Sequence, residues 1–338
     1  MTRKTLRALG LALTLGFSAA ASAVDWAAYS HDSDPGYRNP NWMSSLPDSR
    51  PLSQLSIPGT HDTMARYGGD IAQTQSMTLS MQLQAGVRAL DIRCRHINNA
   101  FAIHHGLIYQ NANFDDVLSA VRDFLQANPR ETILMRVKEE YTPTGNTRSF
   151  ADTYASYVQR YPNLFWTPNS SNPTLGSVRG RIVVLQNFSA PQAWGLDYNS
   201  LNQQDDYVLT TNWDLYSKWT KVKNQMAAAS TGSPDTFYIN YLSGAQGSFP
   251  YFVASGQSSP GSNDPLLSTG LTTPGWKSSY PDFPRVACFI GICTIAFEGA
   301  NRLASERLAG TTYGRVGILM ADFPGRLFLS NLIAHNFR

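Results

Sequence analysis

Short β-type runs alternate with amphipathic helical runs along most of the chain, and this alternation restricts the possible folds more than any other feature. Expected strands cover residues 52–57, 89–93, 100–104, 132–137, 181–185, 236–241 and 315–320. Expected helices cover residues 78–86, 114–127, 150–161, 213–229, 301–308 and 327–334. Repeated strand–helix units build parallel sheets, and about seven of them in one chain favour a barrel over an open sheet. The sequence therefore predicts a single α/β domain of the TIM-barrel type.

One stretch interrupts the alternation. Residues 243–298 are rich in Gly, Ser and Pro and carry no clear strand or helix period. A loop of this length in a compact domain is usually a lid, a binding surface or an element that the pattern fails to reveal.

The first 23 residues have the layout of a secretory signal peptide. Three basic residues, Arg3, Lys4 and Arg7, precede the apolar run 9–17. Small residues end the segment, and we predict cleavage after Ala23. The mature chain, residues 24–338, is then expected as one barrel domain in the periplasm or outside the cell.

Charge and cysteine content exclude several classes of protein. The chain has 27 basic and 24 acidic residues, and loss of the three basic residues of the leader makes the mature protein formally neutral. Nucleic-acid binding by bulk charge is therefore not expected. Three cysteines are too few for a disulfide scaffold. Cys288 and Cys293 could pair in an oxidising compartment, Cys94 would stay free, and their spacing is not that of a metal site.

Polar side chains stand at the carboxyl end of nearly every expected strand. They are His61 and Asp62, Asp91 and Arg93, His104 and His105, Lys138, Asn187, Asn240 and Asp322. A single Asp, Asn or His after a strand is usually a turn, a helix cap or a structural side chain. So many on one rim instead favour an active site, because barrels build their sites at that end.

The residue types on this rim suit cleavage of a phosphodiester. Two histidines from different strands can act as a base and an acid near neutral pH, and an arginine beside them can hold a phosphate. A serine hydrolase is the competing reading, but the chain has no G-x-S-x-G motif. H-E-x-x-H and P-loop motifs are also absent from the sequence. The residues themselves therefore suggest metal-free phosphodiester chemistry.

Four motifs resemble the X region of bacterial phosphatidylinositol-specific phospholipases C. They are SIPGTHDT (56–63), GVRALDIRCR (86–95), IHHGLIY (103–109) and NPRETILMRVKEEY (128–141), with weaker similarity over 179–188, 204–208, 237–244 and 316–323. The resemblance implies a distorted or incompletely closed βα barrel that acts as a phosphodiesterase-lyase. In such enzymes the inositol 2-hydroxyl attacks the phosphorus, which releases diacylglycerol and inositol 1,2-cyclic phosphate.

The resemblance also implies residue roles. His61 matches the general base, His105 the general acid and Arg93 the group that stabilises charge on the phosphoryl oxygens. Asp62 matches the carboxylate coupled to the acid, and Asp322 the one that orients the base. The expected substrate-binding residues are Lys138, Asp205, Tyr207, Asn187 and Asp91. Two of these carry reservations: Asn187 stands where well-known members have an arginine, and Lys138 could merely pair with Glu139 or Glu140. For Arg93 the alternative is a salt bridge with Asp91 at the barrel rim.

The resemblance further bears on cofactors and partners. Arg93 stands near the place where some relatives bind calcium, and a guanidinium there would repel the ion, so no cofactor and no metal are expected. The expected partner is phosphatidylinositol in a membrane, contacted peripherally by a monomer that needs no obligate protein partner. Aromatic runs at 249–252 and 276–283 are candidates for that contact, with ordinary loop packing as the alternative.

Two other functions stay open at this point. One is a catalytically idle module of the same fold that binds inositol lipids or glycans. The other is a phosphodiesterase for another lipid or a glycerophosphodiester, which would usually have metal-binding carboxylates where Arg93 stands.

Overall fold

A computed structural model describes residues 26–338 of the protein, so the predicted leader lies outside the described residues. The strands are β1 (Ile57–Thr60), β2 (Ala89–Ile97), β3 (Ala100–His105), β4 (Ile108–Asn113), β5 (Ile133–Glu139), β6 (Ile182–Asn187), β7 (Leu196–Asp197), β8 (Asn202–Gln204), β9 (Val208–Leu209), β10 (Tyr238–Tyr241), β11 (Ala245–Gln246), β12 (Ser268–Thr272), β13 (Arg285–Phe289), β14 (Ile292–Ala296) and β15 (Ile318–Ala321). The helices are α1 (Leu79–Gln84), α2 (Phe114–Ala127), α3 (Phe150–Arg160), α4 (Leu175–Val178), α5 (Leu215–Thr231), α6 (Pro250–Ser255), α7 (Ala300–Gly310) and α8 (Arg326–Ala334).

Eight parallel strands form a curled sheet in the order β7-β6-β5-β2-β1-β15-β10-β8. Strand β3 pairs antiparallel with the carboxyl end of β2, and β4 pairs antiparallel with β3. Within residues 26–338, the outer strands β7 and β8 do not pair with each other, so the barrel is incompletely closed. This confirms the predicted fold class. In the same part of the chain, no helix is both long and apolar enough to cross a membrane.

The interior of the barrel changes from apolar to charged along the strands. Alternate residues of a strand point to the same side of the sheet. At the amino ends the inward positions are apolar and share one buried cluster: Ile57, Ala89, Leu134, Val183, Ile239 and Ile318. The outward residues between them, such as Leu90, Met135 and Val184, pack in the cluster that also includes the helices. Towards the carboxyl ends, the inward positions become ionisable, with Asp91 and Arg93 on β2 and Arg136 and Lys138 on β5.

Most predicted elements agree with the structure to within a few residues. Helix α2 has the predicted bounds, and a capping box between Asn113 and Asp116 fixes its first turn. The predicted strand over 52–57 is wrong, because residues 52–54 form a short 3-10 turn and β1 begins only at Ile57. Leu52 and Leu55 are buried in the apolar cluster at the amino end of the barrel. These apolar residues therefore close the end of the barrel and do not belong to a strand.

The segment that lacked a clear period is folded. It contains α6 and a three-stranded antiparallel sheet in the order β12-β14-β13. A disulfide bond joins Cys288 to Cys293 across the β13–β14 turn, and Cys94 is a free, buried thiol. The segment therefore contains elements that the sequence pattern failed to reveal.

Candidate active site

His61 lies just after β1, between a carboxylate and a guanidinium. Its Nδ1 is 2.8 Å from Oδ1 of Asp322, and its Nε2 is 2.8 Å from Nη2 of Arg93. An arginine can only donate hydrogen bonds, so Nε2 must carry the lone pair and Nδ1 must carry the hydrogen that is donated to Asp322. His61 is thus held in the tautomer that presents a basic nitrogen to the rim.

His105 ends β3 and has its own carboxylate. Its Nδ1 is 3.1 Å from Oδ2 of Asp62, within the distance of an ion pair. Asp62 is fully buried and has a φ of 37°, a left-handed conformation that is rare for residues other than glycine. Its backbone N–H donates to Oδ2 of Asp91 at 3.0 Å, which helps to hold that conformation. Strained backbone of this kind is often found at functional sites.

Arg93 on β2 connects the two histidine–carboxylate pairs. Its Nη2 reaches His61, and its Nη1 is 3.6 Å from Oδ2 of Asp62. The same guanidinium donates through Nε and Nη2 to Oδ2 of Asp91, at 3.2 and 3.0 Å. These contacts give a continuous series of side chains, Asp322, His61, Arg93, Asp62 and His105, which we call the acid–base row.

Asp91 lies beneath this row and fixes two arginines. It is fully buried, and its Oδ1 accepts a hydrogen bond from Nη1 of Arg136 at 3.2 Å. Burial would raise the pKa of this carboxyl, but the charges of Arg93 and Arg136 outweigh burial and hold the pKa well below its usual range. Asp91 therefore stays anionic and keeps both guanidinium groups in place.

In the Asp62–His105 pair, the carboxyl holds a proton more strongly than the imidazole does. Burial raises the pKa of Asp62 to about 7, against the opposing charge of Arg93. Burial, together with the nearby Arg93 and His61, lowers the pKa of His105 to about 4. Below about pH 7 the Asp62–His105 pair therefore holds one proton, which resides mainly on the carboxyl. A phosphate anion in the pocket would favour the charged imidazole and draw that proton to His105.

A pocket of about 340 Å³ opens over the row. It is lined by His61, Ile71, Thr74, Arg93, His105, Arg136, Lys138, Asp205, Tyr207, Ser243, Gly244, Ala245, Gln246, Pro250 and Asp322. The structure thus brings together four of the five residues expected to be catalytic on the pocket wall, with Asp62 buried behind His105. Lys138, Asp205 and Tyr207, three of the expected substrate-binding residues, also lie on the wall. Histidine 104 instead is buried beside Tyr109.

Asn187 and Asp91, which were also expected to bind substrate, both contact Arg136. Neither lines the pocket. Asn187 Oδ1 accepts hydrogen bonds from Nε and Nη2 of Arg136, at 3.0 and 2.8 Å, and Asp91 binds the opposite edge of the same guanidinium. Both residues therefore position an arginine and do not reach the cavity themselves.

Arg136 is the main site residue that the sequence reasoning missed. Its Nη1 donates to the hydroxyl of Tyr241 at 3.0 Å, and its guanidinium lies 4.2 Å from the ring centre of Tyr198. Its position two residues before Lys138 in the same strand was the available signal, because residues i and i+2 share one face. The pocket thus has an arginine from β5 that is bound by Asn187 of β6.

Lys138 has both a partner and access to the pocket. Its Nζ is 3.0 Å from Oε2 of Glu140, whose Oε1 accepts the backbone N–H of Gly106 at 3.0 Å. Glu140 therefore connects a pocket lysine to the turn that follows His105. The expected alternative, a pairing of Lys138 with a following glutamate, occurs without removing the lysine from the wall.

This arrangement defines a class of protein: an α/β half-barrel whose carboxyl rim carries an acid–base pair around an arginine, suited to phosphoryl transfer. Residues 26–338 contain no cluster of three or more His, Cys, Asp or Glu side chains placed to hold a metal ion.

Comparisons with known proteins identify the family within this class. The family model for the X domain of phosphatidylinositol-specific phospholipase C matches residues 48–188. The 1-phosphatidylinositol phosphodiesterase of Listeria monocytogenes is 32% identical over 317 residues, which cover 87% of this chain and 84% of the relative. The solved structure of the Listeria monocytogenes phosphatidylinositol-specific phospholipase C has a TM-score of 0.63 and 27% identity, and the match covers 88% of this chain and 98% of that one. A Staphylococcus aureus phosphatidylinositol-specific phospholipase C, solved in work on modulation of its membrane binding, has a TM-score of 0.63 and 25% identity, covering 90% of this chain and 99% of the other.

The chain therefore belongs to the phosphatidylinositol-specific phospholipase C family, as the four sequence motifs predicted.

Proposed function

We propose that this protein is an exported phosphatidylinositol phospholipase C that forms inositol 1,2-cyclic phosphate by acid–base catalysis between two histidines, without a metal ion. Membership of the family supports phosphodiesterase activity on phosphatidylinositol. The observation that carries the finer proposal is the acid–base row, in which one guanidinium links two histidines that each have a carboxylate.

The first chemical event is proton transfer to His61. Its Nε2 removes the proton of the inositol 2-hydroxyl, and the freed oxygen forms a bond to phosphorus. Asp322 accepts the Nδ1 hydrogen and stabilises the imidazolium that results. Arg93 is displaced from Nε2 towards the phosphoryl oxygens, whose negative charge it stabilises better than it stabilises a neutral ring.

The second event is protonation of the leaving group by His105. As the bond between phosphorus and the glycerol oxygen breaks, the acid delivers its proton to that oxygen and diacylglycerol leaves. The proton of the Asp62–His105 pair is available for this step because the bound phosphate favours the imidazolium form. One proton enters the row at His61 and one leaves it at His105, so the net charge of the row does not change. The starting protonation is restored when His61 releases its proton to water and the Asp62–His105 pair takes one up.

The headgroup is held by the wall opposite the histidines. Lys138, Asp205 and Arg136 supply charged donors and an acceptor for the ring hydroxyls of inositol. Tyr207, half-exposed at the mouth, presents an aromatic face to the sugar. Because Arg136 replaces an arginine expected at Asn187, this chain would contact the headgroup from β5.

A metal ion is not part of the proposed mechanism. The Arg93 guanidinium lies within 4 Å of both His61 and Asp62, so a positive charge already occupies the place where a cation would act. A divalent ion there would be repelled by that charge.

Export is proposed from the leader layout of residues 1–23. The Cys288–Cys293 disulfide agrees with this, because such bonds persist in oxidising compartments.

The proposal is tested by the first product that the mature protein releases. Vesicles of phosphatidylinositol and phosphatidylcholine are incubated with enzyme and excess chelator, and the reaction is followed by phosphorus NMR. We expect the cyclic phosphate to appear first, with diacylglycerol in equal amount and phosphatidylcholine intact. Appearance of an acyclic inositol phosphate as the first product, or activity that requires added calcium, would contradict the mechanism.

A further inference from the structure

We propose that the turn between β13 and β14 inserts into the surface of a phospholipid bilayer and so holds the active site at its substrate. The turn, which we call the hairpin tip, consists of Phe289, Ile290, Gly291 and Ile292. The inference rests on the proposed function, because a lipid substrate requires contact with a membrane, and it assigns that contact to a specific element.

The hairpin tip exposes apolar side chains to an unusual degree. Phe289 is 75% exposed and Ile290 is 84% exposed, the two highest values among the large apolar residues in the described part of the chain. Ile292 is 52% exposed. No charged residue occurs between Val286 and Phe297. Exposed apolar residues that are scattered singly are common, but a contiguous group marks a contact surface.

Two features hold these side chains away from the protein. The Cys288–Cys293 disulfide closes the turn, and Phe289 pairs with Ile292 across the hairpin. Ile290 and Gly291 both have positive φ, at 46° and 78°, so the turn is tight. In this closed turn the side chains of Phe289, Ile290 and Ile292 are exposed.

The hairpin is anchored at its other end. Exposure decreases along β13 and β14 from the tip to the stem. At the stem, the ring of Phe297 packs 5.2 Å from that of Trp213 and 5.3 Å from that of Phe252. The hairpin tip therefore projects outward from a fixed base.

This base belongs to the end of the barrel that carries the active site. The segment leaves the carboxyl end of β10 through residues 243–246, which line the pocket. It returns to α7, where Nδ2 of Asn301 donates to the backbone carbonyl of Asp322 at 2.7 Å. Both connections thus join the hairpin to the catalytic rim.

The aromatic runs considered from the sequence contribute less. Tyr251, Phe252 and Phe283 are buried, so most of these side chains serve packing. Two residues are exceptions: Phe249 is 42% exposed, and Trp276 is 50% exposed. The backbone N–H of Trp276 donates to the carbonyl of Thr272 at the end of β12, beside the hairpin, and Lys277 follows it. Tryptophan and lysine are side chains that favour the headgroup region of a bilayer.

A bilayer fits the hairpin tip better than a protein partner does. A stable protein interface needs roughly 800 Å² from each side, and three side chains at a turn fall well short of that area. Insertion of a few apolar side chains into lipid needs no matching surface. The absence of charge in the tip likewise suits the hydrocarbon boundary and offers no polar contacts to a protein.

The test compares a double variant, Phe289→Ser with Ile290→Ser, with the control Phe337→Ser. Phe337 is 52% exposed but lies next to Asn336, which binds Ser56 at the amino end of the barrel. Binding to sucrose-loaded vesicles of pure phosphatidylcholine is measured by sedimentation. We expect the double variant to bind at least about tenfold more weakly than the unchanged protein and the control to bind normally.

Turnover of a short-chain, monomeric phosphatidylinositol is measured in parallel, and it should be the same for all three proteins. If none of them cleaves this soluble substrate, the proposed function fails while the sedimentation result still decides the lipid contact. Equal vesicle binding by the double variant and the unchanged protein would overturn the inference. So would a dimer in solution that the double variant alone abolishes without change in vesicle binding, since the hairpin tip would then contact a second copy.

Discussion

The basic nitrogen of His61 depends on the residues that flank its ring. Asp322 accepts the hydrogen bond from Nδ1, and Arg93 donates a hydrogen bond to the lone pair on Nε2. In Asp322→Asn the side-chain amide can donate to Nδ1, which would stabilise the opposite tautomer. We expect kcat on phosphatidylinositol vesicles to fall by about 10³-fold or more, with an unchanged circular dichroism spectrum. Asp235→Asn, at an exposed position before the amino end of β10 and outside the pocket lining, serves as the control and should keep full activity.

The shared proton of Asp62 and His105 predicts a pH dependence. The pair can act as an acid only while it holds its proton, and the Asp62 carboxyl, with a pKa of about 7, loses that proton as the pH rises. We therefore expect kcat/KM to decrease above an apparent pKa near 7. In Asp62→Asn the acid is His105 alone, whose pKa is about 4, so the decrease should begin at a lower pH. An alkaline limb that does not move in this variant would mean that Asp62 has no part in the acid.

Substitution of Arg136 should change the affinity for substrate. A lysine there keeps the charge but cannot bind Asn187 through two nitrogens while also reaching Asp91 and stacking on Tyr198. For Arg136→Lys we expect KM for a soluble phosphatidylinositol to rise by about tenfold, with a smaller change in kcat. Arg95→Lys, whose guanidinium binds the carbonyl of Thr142 outside the pocket, is the matched control. A loss confined to kcat would indicate that Arg136 acts through Arg93 and not on the headgroup.

At the scale of elements, the strand period explains which parts of the site the sequence could reveal. Inward positions two residues apart place Asp91 with Arg93 and Arg136 with Lys138, so the charged rim follows from alternation alone. The same rule would have found Arg136. The backbone conformation of Asp62 could not be found in this way, because it depends on a contact with Asp91 from another strand.

The two failures at this scale have separate causes. The apolar residues of the run 52–57 are buried at the amino end of the barrel. Their burial, and not a strand, explains why the run is apolar. In the segment 243–298, helix α6 has six residues and strands β12, β13 and β14 have five each, so each element is too short to show a clear hydrophobic period.

A buried ion pair between Arg88 and Glu131 at the amino end of the barrel should contribute to the free energy of unfolding. Nε of Arg88 donates to Oε2 of Glu131 at 2.8 Å, and both side chains are fully buried. Glu131 also accepts the backbone N–H of Ser44 at 3.0 Å. In Glu131→Ala the buried guanidinium loses its charge partner, so we expect the free energy of unfolding to fall by about 3–5 kcal/mol in urea denaturation. Asp34→Ala, which breaks the exposed ion pair with Arg38, should have no measurable effect.

At the scale of the whole molecule, charge and thiol content both relate to export. Residues 1–23 contain three basic and no acidic residues, which equals the basic excess of the chain, so the mature protein predicted from the sequence, residues 24–338, is formally neutral. A neutral protein gains little from the attraction of anionic lipids, and its hold on a bilayer must come mainly from apolar contact. The hairpin proposed to supply this contact is closed by a disulfide, and an oxidising compartment preserves such a bond. The proposed export and the proposed lipid contact therefore both depend on one pair of cysteines.

This connection can be checked on protein collected after export from a bacterial host. Its mass should correspond to a chain that begins at Val24 and carries one disulfide. Because Cys94 is fully buried, we expect no reactive thiol in the native protein, one in denaturant and three after reduction. Reduction of the native protein should weaken vesicle binding while turnover of a soluble substrate persists, since no cysteine lines the pocket. An exported chain that retains Met1 would contradict the predicted cleavage after Ala23. Three thiols in denaturant before reduction would show that the hairpin tip lacks its covalent closure.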